Sequence, residues 1–348
     1  MKLLITGGAG FIGSCAVLEF LRHDELELLV NLDCLTYAGN LASLSSVRDP
    51  RYVFVEADLC CAHDVEATVR RFEFTHVLHL AAESHVDRSI HGPGAFIQSN
   101  IVGTFNLLEA LRRTRTLNRA DVRYVQVSTD EVFGSLGPLG RFREDSPFAP
   151  NSPYSASKAS ADMLARAYRM TYGMPIMVTH CSNNFGPRQY PEKLIPVVIQ
   201  RLLERQPIPV YGDGLNVRDW IHVSDHVSAL WSVLCRGRVG ESYNIGANCE
   251  RSNLELVGTL CDTFDSLFPE VGGNSRQLIS YVTDRPGHDR RYAIDSGKLA
   301  CELGWHPTVS WETGIQETIT WYAAHQDWVR TARQRTEEVK RSEGAVTL

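Results

Sequence analysis

TGGAGFIG, residues 6–13, joins a short apolar run to a segment with helical periodicity that begins at Gly10. The apolar run, residues 2–6, has the length and composition of a buried strand. Glycine at Gly7, Gly10 and Gly13 allows a tight turn, and it lets a pyrophosphate approach the unpaired N–H groups at the start of a helix. A strand, this glycine spacing and a helix together predict a dinucleotide-binding site of the Rossmann type.

A carboxylate follows at the position where such a site holds a ribose. Asp33 lies 20 positions after Gly13, at the end of a second predicted strand, 28–32. It can accept hydrogen bonds from ribose hydroxyls and would repel a 2′-phosphate, so we expect NAD rather than NADP. Asp58 follows the third predicted strand and is a candidate for contact with the adenine, although an ordinary loop aspartate remains the alternative.

Short apolar runs alternate with amphipathic segments through the first half of the chain. This alternation predicts an α/β fold with a doubly wound parallel sheet, whose strands end at one ligand-binding edge. Strands are predicted at 2–6, 28–32, 52–56, 76–81, 122–128 and 176–181, and helices at 10–22, 63–72, 95–114 and 153–172. Ser152, Pro153 and Gly173 supply a cap, a first-turn residue and a stop for the last helix.

Prolines and glycines become frequent after residue 182, which indicates a smaller substrate-binding part. A helix at 225–236 and a strand at 242–245 are expected to return to the first sheet, so this C-terminal domain is predicted to be discontinuous. The predicted domains are 1–181 with a returning segment at about 215–246, then 182–214 together with 247–328, and then a polar tail at 329–348.

Composition argues against several classes of protein. The net charge is −6 and there is no basic stripe, so nucleic-acid binding is not expected. No apolar run is long enough to span a bilayer, and the N-terminal run is interpreted as a strand rather than a signal peptide. The 9 cysteines form no CxxC pair, which favours reduced thiols in a cytoplasmic protein over disulfides or a metal site.

YSASK places Tyr154 and Lys158 four residues apart, near the start of the capped helix and on one face of it. A tyrosine with its ordinary pKa of about 10 is a poor base at neutral pH, but a neighbouring ammonium favours the phenolate. Such a pair can take a proton from a sugar hydroxyl while a hydride leaves for NAD. An amphipathic helix with a surface lysine is the alternative reading of this spacing alone.

STDEVFG, residues 128–134, follows a predicted buried strand at the ligand-binding edge. Oxidation of an alcohol needs only Tyr154 and Lys158, so the carboxyl groups of Asp130 and Glu131 suggest an additional acid and base. Thr129 completes this polar cluster. A turn capped by its polar side chains is the simpler alternative.

The chain resembles the extended short-chain dehydrogenase/reductases, and among them the dTDP-glucose 4,6-dehydratases, from Met1 to about Trp328. The stretches that carry this resemblance are TGGAGFIG, NLDCLTYAGNL, LAAESHVDRSI, STDEVFG, SPYSASKAS, NNFGPRQYPEKLIP, VYGDGLNVRDWIHVSDH and DRPGHDRRYAID. It implies that dTDP-glucose is converted to its 4-keto-6-deoxy derivative by C4 oxidation, loss of water across C5 and C6, and C6 reduction on one bound NAD.

The resemblance also implies a role for each catalytic residue. Tyr154 would remove the C4 hydroxyl proton, and Lys158 would orient the cofactor ribose and tune Tyr154. Glu131 would remove the C5 proton while Asp130 protonates the departing C6 hydroxyl. Thr129 would hydrogen-bond the sugar near C4.

Further positions carry over from the family one by one. The resemblance implies NAD contacts from Gly7, Gly10, Phe11, Ile12, Gly13, Asp33, Leu35, Thr36, Asp58, Leu59, Leu80, Ala81, Ala82, Ser84, Ser99, Tyr154, Lys158 and Asn184. It implies substrate contacts from Ser84, Thr129, Asn183, Lys193, Leu194, Pro209, Tyr211, Arg218, Asn253, Arg285 and His288. Phe133 replaces the tyrosine that this family usually has in STDEVYG, which removes one hydroxyl near the site.

Four alternatives share the fold. UDP-glucose could replace dTDP-glucose, because thymine and uracil differ by one methyl, worth only about 1 kcal/mol in an apolar pocket. A nucleotide-sugar 4-epimerase would need the tyrosine and lysine but no acid pair, so Asp130 and Glu131 argue against it. A UDP-glucuronate decarboxylase typically carries serine in place of Asp130 and needs a cationic group to hold the C6 carboxylate. A catalytically dead NAD-binding protein is disfavoured because the five catalytic positions are intact.

Helices 95–114 and 153–172 are expected to pair in a homodimer, as they do in this family.

Overall fold

The computed structural model describes residues 1–114, 122–284 and 288–345. The predicted substrate contact Arg285 and the end of the predicted tail, 346–348, lie outside the described residues. Within these ranges no helix has both the length and the hydropathy needed to cross a membrane.

One parallel sheet organises the first part of the chain, as predicted. Its strands are β1 (Lys2–Thr6), β2 (Leu28–Asp33), β3 (Tyr52–Glu56), β4 (His76–His79), β5 (Arg123–Thr129), β6 (Ile176–Cys181) and β10 (Ser242–Ile245). Their order is β10-β6-β5-β4-β1-β2-β3, and every neighbouring pair is parallel. The strand order reverses between β1 and β4, which opens a crevice at the carboxyl edge of the sheet.

Helices cover both faces of this sheet. On one face lie α1 (Phe11–Phe20), α8 (Val223–Arg236) and α10 (Gly297–Leu303), and on the other lie α2 (Ala62–Phe72), α5 (Gly103–Arg113) and α6 (Pro153–Tyr172). A strand buried on both faces needs a continuous apolar run rather than alternation. Leu3, Leu4 and Ile5 of β1 are accordingly all fully buried.

The predicted helix at 95–114 is not one regular helix. After α3 (Val86–His91), the chain forms α4 (Pro93–Phe96), a π-helical segment (Ile97–Val102) and then α5. Within the π-helical segment, the Asn100 side chain accepts from the backbone N–H of Glu83 at 2.8 Å and donates to Ser157 Oγ at 2.8 Å. The wider turn therefore joins the loop after β4 to α6, and such π segments are frequent at functional sites.

A smaller part packs beside the carboxyl edge. It contains a three-stranded sheet, a two-stranded sheet and three helices around their own apolar core. Its elements are β7 (Asn183–Phe185), α7 (Leu194–Leu203), β8 (Ile208–Tyr211), β9 (Val217–His222), β11 (Glu250–Ser252), α9 (Asn253–Leu267), β12 (Ile279–Val282) and α11 (Trp311–Ala324).

The positions at which the chain passes between the large sheet and the smaller part differ from the predicted domain boundaries. The returning segment was predicted from about 215, but β9 pairs with β7 and β11 in the smaller part, so the return begins with α8. The range 247–328 was predicted to lie wholly in the smaller part, yet Leu299 and Leu303 of α10 are buried in the core of the large sheet.

The last segment also differs from the prediction. Residues 329–345 were predicted as part of a polar tail, but the structure has a helix there, α12 (Gln326–Ala345). Val329 and Ala332 on this helix are buried. A few small apolar residues among many charged ones are too weak a signal to reveal a packed helix face.

Helix α6 has the bounds that the sequence predicts, because its ends are specified locally. The Ser152 hydroxyl accepts from the backbone N–H of Ser155 at 3.0 Å, and Ser155 in return caps the N–H of Ser152. Pro153 occupies the first turn, and Gly173 ends the helix in the left-handed region, with φ of 70°. This helix carries both Tyr154 and Lys158.

The turn from β1 to α1 yields a prediction on stability. A Cβ added at Gly13 would lie 2.1 Å from the carbonyl oxygen of Gly7, so Gly13→Ala must move backbone. We expect this change to lower the free energy of unfolding by about 1–3 kcal/mol, as overpacking does elsewhere. The control is Gly94→Ala in α4, where an added Cβ meets nothing within 4 Å. Equal midpoints of urea unfolding for both variants would contradict the prediction.

Candidate active site

The carboxyl ends of β1, β2, β4 and β5 open into one cavity of about 320 Å³. Of the residues predicted to contact NAD, these line it: Gly7, Gly10, Phe11, Ile12, Gly13, Asp33, Thr36, Asp58, Leu59, Leu80, Ala81, Ala82, Ser84, Ser99, Tyr154, Lys158 and Asn184. Leu35 belongs to the same loop as Asp33 and Thr36 but is not part of the lining. The residues predicted to bind NAD, which are far apart in the sequence, therefore lie around one cavity.

The glycine loop gives the cavity a close backbone wall. Gly7 has φ of 73°, and a Cβ there would lie 2.7 Å from the backbone of Ala81. Gly10 precedes α1 with no side chain, so the first N–H groups of the helix face the cavity lined by Phe11 and Ile12. This arrangement fits a pyrophosphate, because unpaired N–H groups and the helix dipole both favour an anion.

Asp33 fixes the neighbouring wall. Its Oδ2 accepts from the N–H of Ala9 at 2.9 Å, and its Oδ1 accepts from the N–H of Leu35 at 2.8 Å. Burial raises the pKa of the Asp33 carboxyl, and the two N–H donors oppose that rise because they favour the ionised form. A carboxylate that lines the cavity at the end of β2 can receive ribose hydroxyls, so the residues present fit the dinucleotide.

Thr129, Asp130 and Glu131 stand at the end of β5. Thr129 caps the short 3-10 turn Asp130–Phe133, because its Oγ1 accepts from the N–H of Glu131 at 3.3 Å. This turn places all three side chains at the cavity beside Tyr154 and Lys158. The structure thus brings together the five residues that the sequence proposes as catalytic.

Burial separates the two acids of this cluster. Asp130 is 1% exposed, and burial together with the charges of Glu131 and Asp219 raises the pKa of its carboxyl well above the ordinary value. Glu131 is only partly buried. Like charges close together in a poorly solvated site cannot all ionise, so Asp130 is the group that keeps a proton.

Tyr154 and Lys158 are also buried. Burial, followed by the charge of Glu131, raises the pKa of Tyr154 well above its ordinary value, and a hydrogen bond from Thr129 opposes this. Lys158 Nζ donates to the carbonyl oxygen of Val127 at 2.7 Å. Burial lowers the pKa of Lys158, while the carboxylate of Asp162 counteracts that effect. A positive charge beside the phenol would lower the pKa of Tyr154 toward the range in which it accepts a proton.

The floor of the cavity comes from the smaller part. Asn184 Oδ1 lies 2.9 Å from His226 Nδ1, and its amide donates to the carbonyl oxygen of Ser182 at 3.0 Å. Burial lowers the pKa of His226 to about 3, so this ring is neutral. A neutral histidine locks the orientation of the Asn184 side chain.

Only some of the predicted substrate contacts reach this cavity. Ser84, Thr129, Asn183 and Lys193 line it, and Lys193 Nζ donates to the carbonyl oxygen of Ser84 at 3.0 Å. The remaining described residues of that prediction lie outside the lining: Leu194, Pro209, Tyr211, Arg218, Asn253 and His288.

Arg218 and His288 are engaged within the protein. Arg218 donates to the carbonyl oxygen of Asp289 at 2.9 Å, and its guanidinium stacks 4.4 Å from the centre of the Tyr292 ring. Its charge still lowers the pKa of Asp130, so it stands near the acid cluster. His288 Nδ1 lies 2.6 Å from Asp284 Oδ1.

Sequence reasoning missed several residues that line the cavity, among them Tyr37, Tyr190 and Glu192. All three belong to stretches that carry the family resemblance, so their position in those stretches was the available signal. Phe133, which stands where the family usually has a tyrosine, lies inside an aromatic cluster. Its ring lies 5.2 Å from that of Phe142 and 4.8 Å from that of His180.

Comparison with known proteins agrees with this geometry. The family model described as GDP-mannose 4,6 dehydratase matches residues 4–318. The dTDP-glucose 4,6-dehydratase of Xanthomonas campestris pv. campestris strain B100 is 53% identical over 94% of both chains, and that of Salmonella typhimurium LT2 is 49% identical over 96% of both.

A solved structure is similar over nearly the whole chain. DesIV, the dTDP-glucose 4,6-dehydratase of Streptomyces venezuelae, was solved with NAD and TDP bound. It superposes with a TM-score of 0.89 at 44% identity and covers 95% of this chain and 100% of its own. The chain therefore belongs to the family of nucleotide-sugar 4,6-dehydratases that includes the dTDP-glucose 4,6-dehydratases.

Proposed function

We propose that this chain converts dTDP-glucose to dTDP-4-keto-6-deoxyglucose on a bound NAD. The observation that carries the proposal is the meeting of Thr129, Asp130 and Glu131 with Tyr154 and Lys158 at one cavity. A tyrosine and a lysine suffice to oxidise an alcohol, whereas removal of water needs a further acid and base. The names of relatives about 50% identical to this chain support dTDP-glucose as the substrate.

Tyr154 serves the oxidation. When bound, NAD would supply the hydride acceptor for oxidation at C4 of the sugar and the hydride donor for reduction at C6. Tyr154 takes the proton of the C4 hydroxyl, and the ammonium of Lys158 favours the phenolate that this transfer requires. We assign the hydroxyl of Thr129 to the sugar oxygen at C4, where its one proton would stabilise the developing carbonyl.

Asp130 and Glu131 serve the elimination. The C4 carbonyl acidifies the C5 proton, and Glu131 takes that proton as the base and gives it back to C5 when C6 is reduced. Asp130 gives its own proton to the C6 hydroxyl, which leaves as water. The roles follow from burial, because the pKa of the fully buried Asp130 is raised so that it holds a proton to give, whereas Glu131 is only partly buried.

Lys193, Asn183 and Ser84 lie at the side of the cavity where the smaller part meets the sheet. We assign them to the sugar diphosphate, for which the charge of Lys193 is suited. Arg218, Tyr211, Pro209, Leu194, Asn253 and His288, with Arg285 outside the described residues, are proposed to continue this site toward the base.

A direct assay tests the function. Purified protein would be incubated with dTDP-glucose and, separately, with UDP-glucose, without added cofactor, and the nucleotide-sugar followed by mass spectrometry. We expect loss of one water, faster from the dTDP sugar. Faster reaction of UDP-glucose would overturn the proposed nucleotide, and a C4 epimer of unchanged mass would overturn the dehydration.

Asp130→Asn gives a sharper prediction, because an amide cannot supply the proton that departing water needs. We expect turnover to fall about 100-fold or more. C4 oxidation by Tyr154 continues, so NADH should accumulate and be detected by its absorbance. The matched control is Asp145→Asn, at an exposed position outside the cavity, which should leave turnover unchanged. Turnover of Asp130→Asn equal to that of the control would sink the assignment.

We also propose a homodimer, which the exposed apolar side chains of the adjacent helices support. Phe105 on α5 and Met163 on α6 are 43% and 54% exposed.

The nine cysteines are all unpaired, which is consistent with the cytoplasm.

The dimer makes its own prediction. The double variant Phe105→Asp with Met163→Asp should sediment as a monomer, because a desolvated carboxylate is costly in an interface. The control Leu139→Asp changes a side chain that is 84% exposed on a different segment and should leave the dimer intact. A wild-type protein that is already monomeric at micromolar concentration would refute the proposal.

A further inference from the structure

Helix α12 lies against the cofactor side of the cavity. Trp328 Nε1 donates to Ser43 Oγ at 3.2 Å, and the carbonyl oxygen of Ala332 accepts from the hydroxyl of Tyr190 at 2.8 Å. The Arg335 guanidinium donates to the carbonyl oxygens of Leu35 and Gly39. The helix is therefore bound by side chains and backbone at three separate points along its first three turns.

The loop that Arg335 holds is the wall beside Asp33. Cys34, Thr36, Tyr37, Ala38 and Gly39 all line the cavity. These residues follow the carboxylate that is suited to the ribose, so they surround the adenosine half of a dinucleotide. The position of this loop sets the shape of that half of the site.

The backbone of the loop is held in an unusual conformation. Leu35 has φ of 52°, in the left-handed region that a branched side chain rarely adopts. Its N–H donates to Asp33 at 2.8 Å, and its carbonyl oxygen accepts from Arg335. A strained residue of this kind persists where surrounding contacts fix it, and here the contacts come from Asp33 and Arg335.

Helix α12 also contacts a second segment that lines the cavity. Tyr190, which follows β7 in the smaller part, lines the cavity and packs edge-on against Tyr37 with ring centres 5.4 Å apart. Tyr37, Tyr190 and Ala332 form one buried cluster. The same helix thus contacts both the loop after β2 and a loop of the smaller part, which meet at Tyr37 and Tyr190.

We propose that α12 is a cofactor-retaining element and that Arg335 is the positioning residue that holds the Leu35–Gly39 loop in its NAD-binding conformation. The inference rests on the proposed function only insofar as the cavity binds NAD. Arg335 lines no part of the cavity, so its effect reaches the cofactor through the loop and through its charge, which lowers the pKa of Asp33. Loss of Arg335 then frees the loop and speeds the departure of NAD without changing the groups that carry out the reaction.

The test measures how fast the holoenzyme loses NAD. NAD-loaded wild type and Arg335→Ala would be diluted into cofactor-free buffer with an NAD-consuming enzyme, and the NAD still bound would be followed with time. We expect roughly tenfold faster loss from Arg335→Ala, the factor that corresponds to about 1.4 kcal/mol. At saturating NAD, its turnover of dTDP-glucose should stay near that of wild type.

Two further variants separate positioning from mere stability of the helix. Arg333→Ala removes the same charge from the same helix, but Arg333 pairs with Glu204 at 2.6 Å and does not touch the loop, so NAD retention should be unchanged. Arg335→Lys keeps the charge but not the planar fork that bridges two carbonyl groups, so its retention should lie between those of wild type and Arg335→Ala.

The outcomes distinguish the two proposals. Equal NAD loss from wild type and Arg335→Ala, in a protein that dehydrates dTDP-glucose, would overturn the role of Arg335 alone. Equal acceleration in Arg333→Ala and Arg335→Ala would overturn it as well, since both would then act through the helix. Faster loss confined to Arg335→Ala would support it even if no dehydration were observed, a result that would overturn the dehydratase function instead.

Discussion

The approach of Gly13 to the carbonyl oxygen of Gly7 is the constraint on which the site depends. No side chain fits between them, so α1 begins directly over the end of β1. This contact directs the start of the helix into the crevice where the strand order reverses. Because the sheet is parallel, β2, β4 and β5 end at the same crevice. Their polar residues therefore lie close together there although they are far apart in the sequence.

If the strand ends only brought acids together, Asp130 and Glu131 would be alike. They differ because Asp130 is more deeply buried than Glu131. The end of β5 turns immediately into a short helix, which directs Asp130 inward and leaves Glu131 nearer the opening. Asp130 thereby keeps a proton chiefly because of its depth, and the charges of Glu131 and Asp219 add to the rise in its pKa. An epimerase on this fold would need the tyrosine and lysine but would gain nothing from this difference.

The sequence was most informative where structure is specified locally. Helix α6 was predicted with its observed bounds because Ser152, Pro153 and Gly173 mark its ends within the chain itself. The role of α12 was not predictable in this way, because Arg335 meets Leu35 across 300 positions and leaves no periodic signal. The π-helical segment was missed for a related reason, since the hydrogen bonds of Asn100 that accompany it depend on side chains of other elements.

The smaller part does more than supply a surface for the substrate. Asp219 on β9 adds to the rise in the pKa of Asp130, while its neighbour Arg218 opposes it. Asp219 is itself buried, with its Oδ1 accepting from the N–H of Cys249 at 2.8 Å, and burial raises its pKa to about 6. The protonation of the acid at the end of β5 therefore depends on a strand outside the large sheet. The packing of the smaller part against the large sheet therefore adds to the rise that burial and the charge of Glu131 cause in the pKa of Asp130.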